Sequence, residues 1–415
     1  MRSLAILSMH TSPLAQPGTG DGGGMNVYVK ELATALSRAG VACDVYTRAS
    51  GDVPAIVNVE PGFRLHHIAA GPLAPVPRRD LPELVDGFTE GVLARIEGGH
   101  PADAIHANYW LSGVAGHTLK HALDLPLVST FHTLDRVKAQ IDLSDDGALR
   151  SQAEAGVIGC SDAIVANCDD EVRQLVQLYD ADPTRVEVVP LGVDHAFFGP
   201  NPTALPDGRV NRRQARRAIG FDEDAPMLLF VGRIQPLKNA DVAVCTLAHL
   251  TEHPDAHLVV VGGPSGPEGE HEVARLHGLV AELGLAKRVT FVSPQPHELL
   301  STYYRAAEVC LVPSRSESFG LVALEAKACG TPVVAASVGG LTTLVDDGGT
   351  GFLIDNHDPL GFADATARIL DEPELAAELS TNAARRAAGY TWSIAAARLR
   401  RLYGELTART LVECP

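Results

Sequence analysis

The chain has no long apolar run and no excess of positive charge, and each absence excludes a class of protein. No stretch of its 415 residues approaches the roughly 20 apolar residues that a membrane-spanning helix needs. The formal net charge of −17 argues against a broad electrostatic interaction with nucleic acid or anionic lipid. A local basic pocket for one phosphorylated ligand is still compatible with that charge.

Cysteine is also scarce, and its pattern carries no obvious pairing. The seven cysteines are scattered, and no C-x-x-C motif occurs. An odd, scattered set indicates reduced thiols rather than a disulfide framework or a zinc site. The first residues, M-R-S-L-A-I-L-S-M-H, become polar too early for a secretory signal. We therefore expect a cytoplasmic protein.

Short apolar runs alternate with helix-like segments along most of the chain. The strand-like runs include L-A-I-L-S-M, C-D-V-Y-T and A-I-H-A early on, and M-L-L-F-V-G, H-L-V-V-V-G and V-C-L-V-P later. This alternation predicts an α/β fold with parallel sheets covered by helices on both faces. A Pro- and Gly-rich segment at 192–208 interrupts it and is interpreted as an interdomain linker.

The sequence thus predicts two doubly wound domains of similar size. The first spans 1–195 together with a C-terminal amphipathic helix at 391–415, and the second spans 196–390. We expect the domains to face each other across a cleft, because open parallel sheets bind ligands at their carboxyl edges.

Five glycines lie within seven residues of the stretch Q-P-G-T-G-D-G-G-G-M-N, just before a helix predicted from about 26 to 38. Gly18, Gly20 and Gly23 formally fit the dinucleotide pattern G-x-G-x-x-G, but Gly18 follows the strand by nine residues, too many for that tight turn. A flexible loop without a role is the plain alternative. The hypothesis we favour is that bare backbone approaches an anionic or hydroxylated ligand at the helix N-terminus.

Two cations follow a strand in V-G-R-I-Q-P-L-K-N. Arg233 and Lys238 are five residues apart on one loop, so both can reach a diphosphate. The alternative is an ordinary solvated surface.

Two acids are separated by seven residues in E-S-F-G-L-V-A-L-E. Glu317 precedes a predicted helix that Ser318, Phe319 and Gly320 open, and Glu325 lies inside that helix. A carboxylate accepts two hydroxyl hydrogen bonds, and free N–H groups at a helix start favour phosphate. This pattern suits the diols of a ribose and a hexose. A capping acid with a surface acid is the alternative.

Together these motifs resemble the retaining GT-B glycosyltransferases of family 4, over nearly the whole chain. The segment S-M-H-T-S-P-L-A-Q-P-G-T-G-D-G-G-G-M-N-V-Y-V, with Y-W-L-S-G, H-T-L and G-G-P-S-G-P, resembles most the members that glycosylate D-inositol 3-phosphate in the mycothiol pathway. Sucrose-phosphate synthase shares a looser version. The resemblance implies transfer of a sugar, with UDP-N-acetylglucosamine the preferred donor, to a small polar, phosphorylated acceptor such as inositol phosphate. It implies no required cofactor, although a bound Mg²⁺ is compatible, and it allows a homodimer.

The resemblance also assigns roles to residues. Catalytic roles fall to His132, Arg233, Lys238 and Glu317. The donor would be bound by Gly23, Arg233, Lys238, Gln295, Ser318, Phe319, Gly320 and Glu325. The acceptor would be bound by Asn26, Arg78, Tyr109, Thr133 and Arg150, with Arg79 and Lys138 as further candidates for its phosphate.

Two positions depart from the family pattern. Asn108 stands where related enzymes tend to have a histidine, and the acceptor-phosphate lysine is replaced by arginine, at Arg78 or Arg79. Arginine still binds phosphate, but with a different geometry. Both departures lie in the acceptor half of the predicted site.

A pair of histidines offers a different chemistry. His117 and His121 are spaced i, i+4 on a predicted helix, as two metal ligands can be. Since no third ligand is evident nearby, we interpret them as a solvated helix face, and no metal site is predicted.

Three other functions are compatible with the motifs. One is the same donor chemistry with another acceptor, such as a sugar phosphate, a natural product or a glycolipid. The second is a nucleotide-sugar 2-epimerase, whose architecture is similar. The third is a sugar-binding regulatory protein without turnover, which the intact set of Arg233, Lys238, Glu317 and Glu325 disfavours.

Overall fold

The computed structural model describes residues 2–18, 20–143, 147–200, 212–266 and 268–414. These residues form two compact units. The first comprises the chain up to Ala15, Gly24–Gly192 and the chain from Trp392 onward. The second comprises Gln16–Gly23 and Val193–Thr391. The glycine-rich segment thus belongs to the second unit, although the segments that precede and follow it in the sequence belong to the first.

The first unit is an eight-stranded sheet with helices. Its strands are β1 Ser3–Leu7, β2 Ala42–Arg48, β3 Ile56–Glu60, β4 Phe63–Ile68, β5 Ile105–Asn108, β6 Leu127–Thr130, β7 Ala163–Ala166 and β8 Val186–Val188. Its helices are α1 Gly24–Arg38, α2 Val85–Glu97, α3 Trp110–Leu123, α4 Asp135–Ala139, α5 Gly147–Cys160, α6 Asp169–Tyr179 and, at the end of the chain, α15 Trp392–Leu406. A 3₁₀ helix spans Arg78–Leu84 and a shorter one Pro183–Arg185.

The strand order of this sheet is β3-β4-β2-β1-β5-β6-β7-β8. Every pairing is parallel except that of β3 with β4, which is antiparallel and irregular between Asn58 and Glu60. The strands β1, β5 and β7 are almost wholly buried. β1 and β7 are largely apolar, as expected of a parallel sheet covered on both faces, whereas β5 carries the buried polar residues His106 and Asn108. The order reverses between β1 and β5, which places a topological switch point there.

The second unit is a six-stranded, wholly parallel sheet with helices. Its strands are β9 Met227–Val231, β10 His257–Val261, β11 Val289–Val292, β12 Val309–Val312, β13 Val333–Ala336 and β14 Gly351–Ile354. Its helices are α7 Arg212–Ala218, α8 Ala240–His249, α9 Gly269–Glu282, α10 His297–Ala306, α11 Leu321–Ala328, α12 Leu341–Leu344, α13 Pro359–Asp371 and α14 Pro373–Ala387. Two 3₁₀ helices span Pro236–Lys238 and Asp355–His357.

The strand order of the second sheet is β11-β10-β9-β12-β13-β14. This is the doubly wound order 3-2-1-4-5-6, with its switch point between β9 and β12. Helices α8, α9, α13 and α14 pack on the sheet in an apolar cluster that includes Leu228, Leu247 and Phe362. The predicted pair of α/β domains is therefore confirmed.

The last helix, α15, packs within the first unit, as the predicted fold requires. The rings of Tyr28 on α1 and Trp392 are 5.9 Å apart. The hydroxyl of Tyr403 lies 2.7 Å from His106 Nδ1, and Arg401 pairs with Glu187 at 2.9 Å. These contacts bury the apolar face that the helical period of the sequence indicates.

Two further observations bear on the expectations from sequence. Among the described residues, no helix combines the length and the apolar character needed to span a membrane. The prediction that all cysteines are reduced is wrong for one pair, because Cys160 and Cys414 form a disulfide across 254 residues of sequence. Of the predicted linker, 201–208 lies outside the described residues.

Candidate active site

The predicted site residues follow the strands that flank the two switch points. In the second unit, Arg233 and Lys238 follow β9, and Glu317 follows β12. In the first unit, Tyr109 follows β5, and His132 follows β6, the next strand in the sheet. Parallel strands bring their carboxyl ends to one edge of the sheet, which is where such folds bind ligands.

Lys238 and Glu317 form an ion pair that joins the two loops of the second switch point. Lys238 Nζ lies 2.5 Å from Glu317 Oε2, and the two side chains are 21% and 17% exposed. Lys238 ends a 3₁₀ turn that the left-handed Asn239 (φ 57°) links to α8. A pair held this way is partly open to solvent, so a phosphate and a hydroxyl can still reach it.

The backbone around Glu317 is fixed by the loop that follows β13. Gly340 N donates to Glu317 O at 2.9 Å. A Cβ on Gly339 would come within 2.0 Å of Glu317 O, and one on Gly340 within 2.4 Å of Phe319 Cα. Only glycine allows this approach. The sequence analysis did not single out Gly339 and Gly340. The G-G pair soon after β13 is the signal that could have indicated a close backbone approach there.

Arg233 is seated against the glycine-rich segment. Its Nη1 donates to Ser265 Oγ at 3.3 Å, and Ser265 Oγ in turn donates to Gly20 O at 2.8 Å. A Cβ on Gly23 would lie 3.2 Å from Arg233 Nε and 3.3 Å from its Cζ. The bare backbone at Gly23 therefore leaves room for the guanidinium.

The rest of the glycine-rich segment is anchored on the loops after β10 and β11. Gln16 Nε2 donates to Pro294 O at 3.0 Å, and Gly18 N donates to Gly22 O at 2.9 Å. Gly18 has φ +89° and Gly20 has φ +50°, conformations that L side chains rarely adopt. The segment is thus a built loop, and two of its glycines are explained by its own conformation.

Glu325 lies in α11 and is held by two residues of α10. His297 Nε2 is 2.7 Å from Glu325 Oε1, and the Tyr304 hydroxyl donates to Glu325 Oε2 at 2.8 Å. Burial and the nearby Glu325 carboxylate raise the pKa of Tyr304 well above its usual value, which keeps the hydroxyl a donor. The sequence reasoning missed His297 and Tyr304. Two hydrogen bonds thus orient Glu325, the residue predicted to bind the ribose.

The other predicted donor contacts lie around α11. Gly320, with φ 105°, caps the helix that begins at Leu321. A Cβ there would come 2.8 Å from Leu341 Cδ2. Phe319 is buried, and Ser318 is partly exposed. Gln295, after β11, donates to Ser293 O at 2.9 Å.

His132 in the first unit is a neutral group with a fixed orientation. Its Nε2 lies 2.9 Å from Asn108 Oδ1, an acceptor, so Nε2 carries the proton. Burial lowers the pKa of His132 to about 3. Its φ of 62° is unusual for a residue with a side chain and is typical of a functional site. Asn108, the departure from the family pattern, therefore sets the tautomer of this ring.

Arg150 gathers the predicted acceptor contacts of the first unit. Its Nη2 donates to Thr133 O at 2.8 Å and to Thr133 Oγ1 at 3.0 Å, and its Nη1 donates to the Tyr109 hydroxyl at 3.2 Å. Its Nε is paired with Glu154 at 2.8 Å, and both side chains are 0% exposed. Arg150 therefore positions Thr133 and Tyr109, and its charge is balanced by Glu154.

The remaining predicted acceptor residues lie on other elements of the first unit. Asn26 on α1 is buried, and its Nδ2 donates to Thr11 Oγ1 at 2.8 Å and to Ser12 O at 2.5 Å. Arg78, in the 3₁₀ helix, and Lys138, in α4, are partly exposed. Arg79 is exposed and lies 3.5 Å from Asp80. The role of each in acceptor binding stays a prediction.

Comparison with known proteins assigns the family. The sequence family described as Glycosyltransferase Family 4 matches residues 22–197. The family described as Glycosyl transferases group 1 matches residues 211–386. D-inositol 3-phosphate glycosyltransferase 2 of Catenulispora acidiphila is 46% identical, over 95% of this chain and 93% of that protein. The D-inositol 3-phosphate glycosyltransferase of Thermomonospora curvata is also 46% identical, over 96% and 94% of the two chains.

Solved structures agree with this assignment. Sucrose-phosphate synthase from Thermosynechococcus elongatus superposes with a TM-score of 0.90 at 34% identity, over 98% of this chain and 100% of that one. Anabaena HepE, solved in complex with UDP-glucose, has a TM-score of 0.76 at 19% identity, over the same shares of the two chains, and so shows the fold. The chain therefore belongs to the family-4 glycosyltransferases of the GT-B fold, and it is a glycosyltransferase similar over its length to the D-inositol 3-phosphate glycosyltransferases.

Proposed function

We propose that the enzyme transfers N-acetylglucosamine from UDP-N-acetylglucosamine to a hydroxyl of an inositol phosphate, with retention of anomeric configuration. The observation that carries this proposal is the 46% identity, over 95% of the chain, to a protein named for D-inositol 3-phosphate. The UDP part of the donor is supported by the HepE structure, which is titled as a complex with UDP-glucose.

The second unit supplies groups suited to the donor. Departure of the nucleoside diphosphate places negative charge on the leaving phosphate, and fixed cations at that place lower the barrier. Arg233 and Lys238 take this role in the proposal. Glu317 then accepts hydrogen bonds from hydroxyls of the transferred sugar, and Glu325 accepts them from the ribose.

The first unit supplies a neutral partner for the sugar. With the pKa of His132 near 3, the ring donates no proton to the reaction at neutral pH. It lies instead beside the transferred sugar as a neutral ring, and the hydrogen bond from Nε2 to Asn108 holds its orientation. The proposal assigns no residue as a covalent nucleophile, and retention then results from attack on the same face that the leaving group departs from.

The acceptor phosphate is assigned to the partly exposed cations. Arg150 already donates to Glu154, Thr133 and Tyr109, whereas Arg78 and Lys138 have partly exposed side chains. A cytoplasmic location, a homodimer and the lack of a required metal stay predictions within this proposal, as does a bound Mg²⁺.

One observation favours a second acceptor. Sucrose-phosphate synthase is 34% identical to this chain with a TM-score of 0.90, so a sugar phosphate is the alternative to an inositol phosphate. Both acceptors carry hydroxyls and a phosphate, and the contacts described in the first unit suit either.

The deciding experiment crosses donors with acceptors. Purified enzyme is incubated with UDP-N-acetylglucosamine or UDP-glucose, and with D-inositol 3-phosphate, fructose 6-phosphate, unphosphorylated inositol or no acceptor. Release of UDP and the product mass are measured, and NMR of the product gives its anomeric configuration. We expect UDP release only with UDP-N-acetylglucosamine and inositol phosphate together, and an α-linked product.

Each of the other outcomes would support a different function or mechanism. Product with fructose 6-phosphate alone would replace the acceptor. UDP release without acceptor, together with an epimerised sugar, would indicate an epimerase, and an inverted product would refute retention. Donor binding without any turnover would indicate a regulatory protein.

A further inference from the structure

We propose that His117, His121, Cys160 and Cys414 form a structural Zn²⁺ site in the first unit, which the protein fills when the two cysteines are reduced. One potential ligand atom from each of the four residues lies within 4.8 Å of all the others. Two imidazoles and two thiolates are a standard ligand set for structural zinc. The site is separate from the residues assigned to donor and acceptor.

Three separate parts of the chain build this cluster. His117 and His121 are one turn apart on α3, with ring centroids 5.2 Å apart. Cys160 ends α5 and is buried. Cys414 comes from the tail after α15, and its Sγ is 3.0 Å from His121 Nε2. The sequence spacing showed only the two histidines, and the fold adds the two cysteines beside them.

Apart from the two bonded sulfurs, the separations are compatible with a tetrahedral ion. Zn–S bonds of about 2.3 Å and Zn–N bonds of about 2.0–2.1 Å put neighbouring ligand atoms roughly 3.3–3.8 Å apart. All six separations in the cluster fall below 4.8 Å. Two thiolates would also balance the charge of the ion, and nitrogen with sulfur ligands in this geometry favour zinc over hard cations such as Mg²⁺.

The tail is held in place by contacts independent of its cysteine. Val412 N donates to Asp162 Oδ1 at 2.6 Å, and Asp162 Oδ2 accepts from Leu127 N at 2.8 Å. Lys120 Nζ is 2.9 Å from Asp162 Oδ2 and donates to Cys160 O at 2.8 Å. Lys120 and Asp162 are both buried. This network brings the tail next to the end of α5 and so presents Cys414 to the other three ligands.

The disulfide and the zinc site are two states of the same cysteine pair. A dithiol reductant gives two electrons and two protons to the Cys160–Cys414 bond and becomes a disulfide itself, leaving two thiols. Zn²⁺ then binds both sulfurs and releases two protons to solvent, without changing its oxidation state. The sulfurs must separate to about 3.7 Å, so the proposal requires a movement of Cys414, which lies outside the helices and strands, whereas Cys160 ends α5.

The expected consequence is a clamp that fixes the C-terminal tail on α3 and α5. A closed site with four protein ligands stabilises the folded state and leaves no position for substrate. Loss of the metal should therefore have a larger effect on the mobility of the tail than on the rate of sugar transfer.

The test measures metal content on full-length enzyme made without a polyhistidine tag. The protein is purified under a dithiol reductant and dialysed against metal-free buffer containing that reductant, and zinc is measured by plasma mass spectrometry. We expect one zinc per chain. Replacement by Co²⁺ should give the intense visible bands of a tetrahedral site together with sulfur-to-cobalt charge transfer.

Two ligand variants and two controls complete the design. His121→Ala and Cys414→Ser should each reduce retained zinc to background, and both changes lie outside the apolar core. His271→Ala removes an exposed histidine of α9, and Cys245→Ser removes a thiol from α8, so both should keep one zinc per chain. Hydrogen exchange of the tail should rise in the ligand variants only.

Three results would overturn the proposal. The first is that the reduced, folded enzyme retains no zinc and, on reoxidation, forms only the Cys160–Cys414 disulfide. The second is zinc retained equally by wild type and by both ligand variants. The third is a cobalt spectrum without sulfur charge transfer, which would place the metal elsewhere.

Discussion

The two units use the same pair of residue types, a cation and a glutamate, in opposite ways. In the second unit, Lys238 and Glu317 are 21% and 17% exposed and connect two loops at the carboxyl edge of the sheet. In the first unit, Arg150 and Glu154 are 0% exposed and lie among helices and loops of the interior. The distances are similar, at 2.5 and 2.8 Å, so exposure distinguishes them.

This difference explains which pair can serve a ligand. A buried ion pair depends on its partner, because removing one member leaves an uncompensated charge. A partly exposed pair loses less when one member turns to a phosphate or a hydroxyl. The first unit thus uses its pair to hold Thr133 and Tyr109, and in the proposed function the second unit presents its pair to a donor. The first two predictions below test this contrast, and two smaller ones test the glycine-rich segment and the buried histidines.

The largest expected effect is on stability, from Arg150→Met. The variant leaves Glu154 buried without its cation, so the free energy of unfolding should decrease by about 3–5 kcal/mol. Both tryptophans, Trp110 and Trp392, lie in the first unit, so intrinsic fluorescence in a denaturant titration reports on that unit. The double variant Arg150→Met/Glu154→Gln removes the buried charge and keeps an acceptor for Asp135 N and the Tyr179 hydroxyl, so it should recover part of the loss.

The matched control is Arg173→Met, which breaks the exposed pair with Asp170. Its cost should stay below about 1 kcal/mol. Equal losses at Arg150 and Arg173 would contradict the contrast between buried and exposed pairs.

The next effect is on catalysis, from Lys238→Ala. Removing one fixed donor to the leaving group should cost about 2.7–4 kcal/mol in transition-state stabilisation, roughly 100- to 1000-fold in kcat/KM. The melting temperature should change little. Steady-state kinetics and thermal unfolding on the same preparation measure both. Lys287→Ala, an exposed lysine before β11, serves as control. A folded Lys238→Ala enzyme with the wild-type rate would refute the donor assignment.

Gly23→Val should act on catalysis through Arg233. The added side chain meets the guanidinium at about the 3.2 Å given for a Cβ, so the guanidinium must move from its position. Loss of one well-placed charged contact costs about 1.5–3 kcal/mol, which is roughly 10- to 100-fold in kcat/KM. Gly51→Val, where a Cβ meets nothing within 4 Å, should leave kcat/KM unchanged.

The contrary outcome for Gly23→Val is a large drop in melting temperature with normal activity per folded molecule. That result would make the segment a structural turn rather than a support for Arg233.

The smallest effect is the pH dependence of stability that two buried histidines of the first unit contribute. Burial lowers the pKa of His106 and of His132 to about 3, below the roughly 6.5 of an exposed histidine. Below pH 6.5 the unfolded chain therefore binds protons that the native chain does not, and stability decreases as the pH falls toward 3. Between pH 7.5 and 5.5 each histidine should remove about 1.4 kcal/mol.

Tryptophan fluorescence at the two pH values measures this loss. His106→Gln should reduce the pH dependence by about one histidine's share, roughly 1.4 kcal/mol, whereas His271→Gln on the exposed face of α9 should not. An unchanged dependence in His106→Gln would show that this histidine titrates normally in the native protein.

Much of the fold was predictable because its signals are local. The alternation of apolar runs with helical segments gave two parallel sheets, and V-C-L-V-P followed by E-S-F-G placed Glu317 after β12 as predicted. His297 and Tyr304 were missed, since nothing in P-H-E-L-L-S-T-Y-Y shows that α10 turns these two side chains to Glu325. Their spacing of seven residues on one helix face becomes informative only when α11 lies beside it.

The sequence by itself determined the α/β alternation, the strand ends that carry Arg233 and Glu317, and a glycine-rich segment with backbone that side chains would obstruct. These properties depend on residues close together in the chain. The tertiary structure alone decided that this segment joins the second unit, that Arg150 is buried while Lys238 is not, and that Cys414 meets Cys160. Such outcomes depend on contacts between distant residues, 79 positions apart for Lys238 and Glu317 and 254 for the two cysteines. Composition and periodicity carry no record of those pairings, because burial and charge pairing are set when the elements pack.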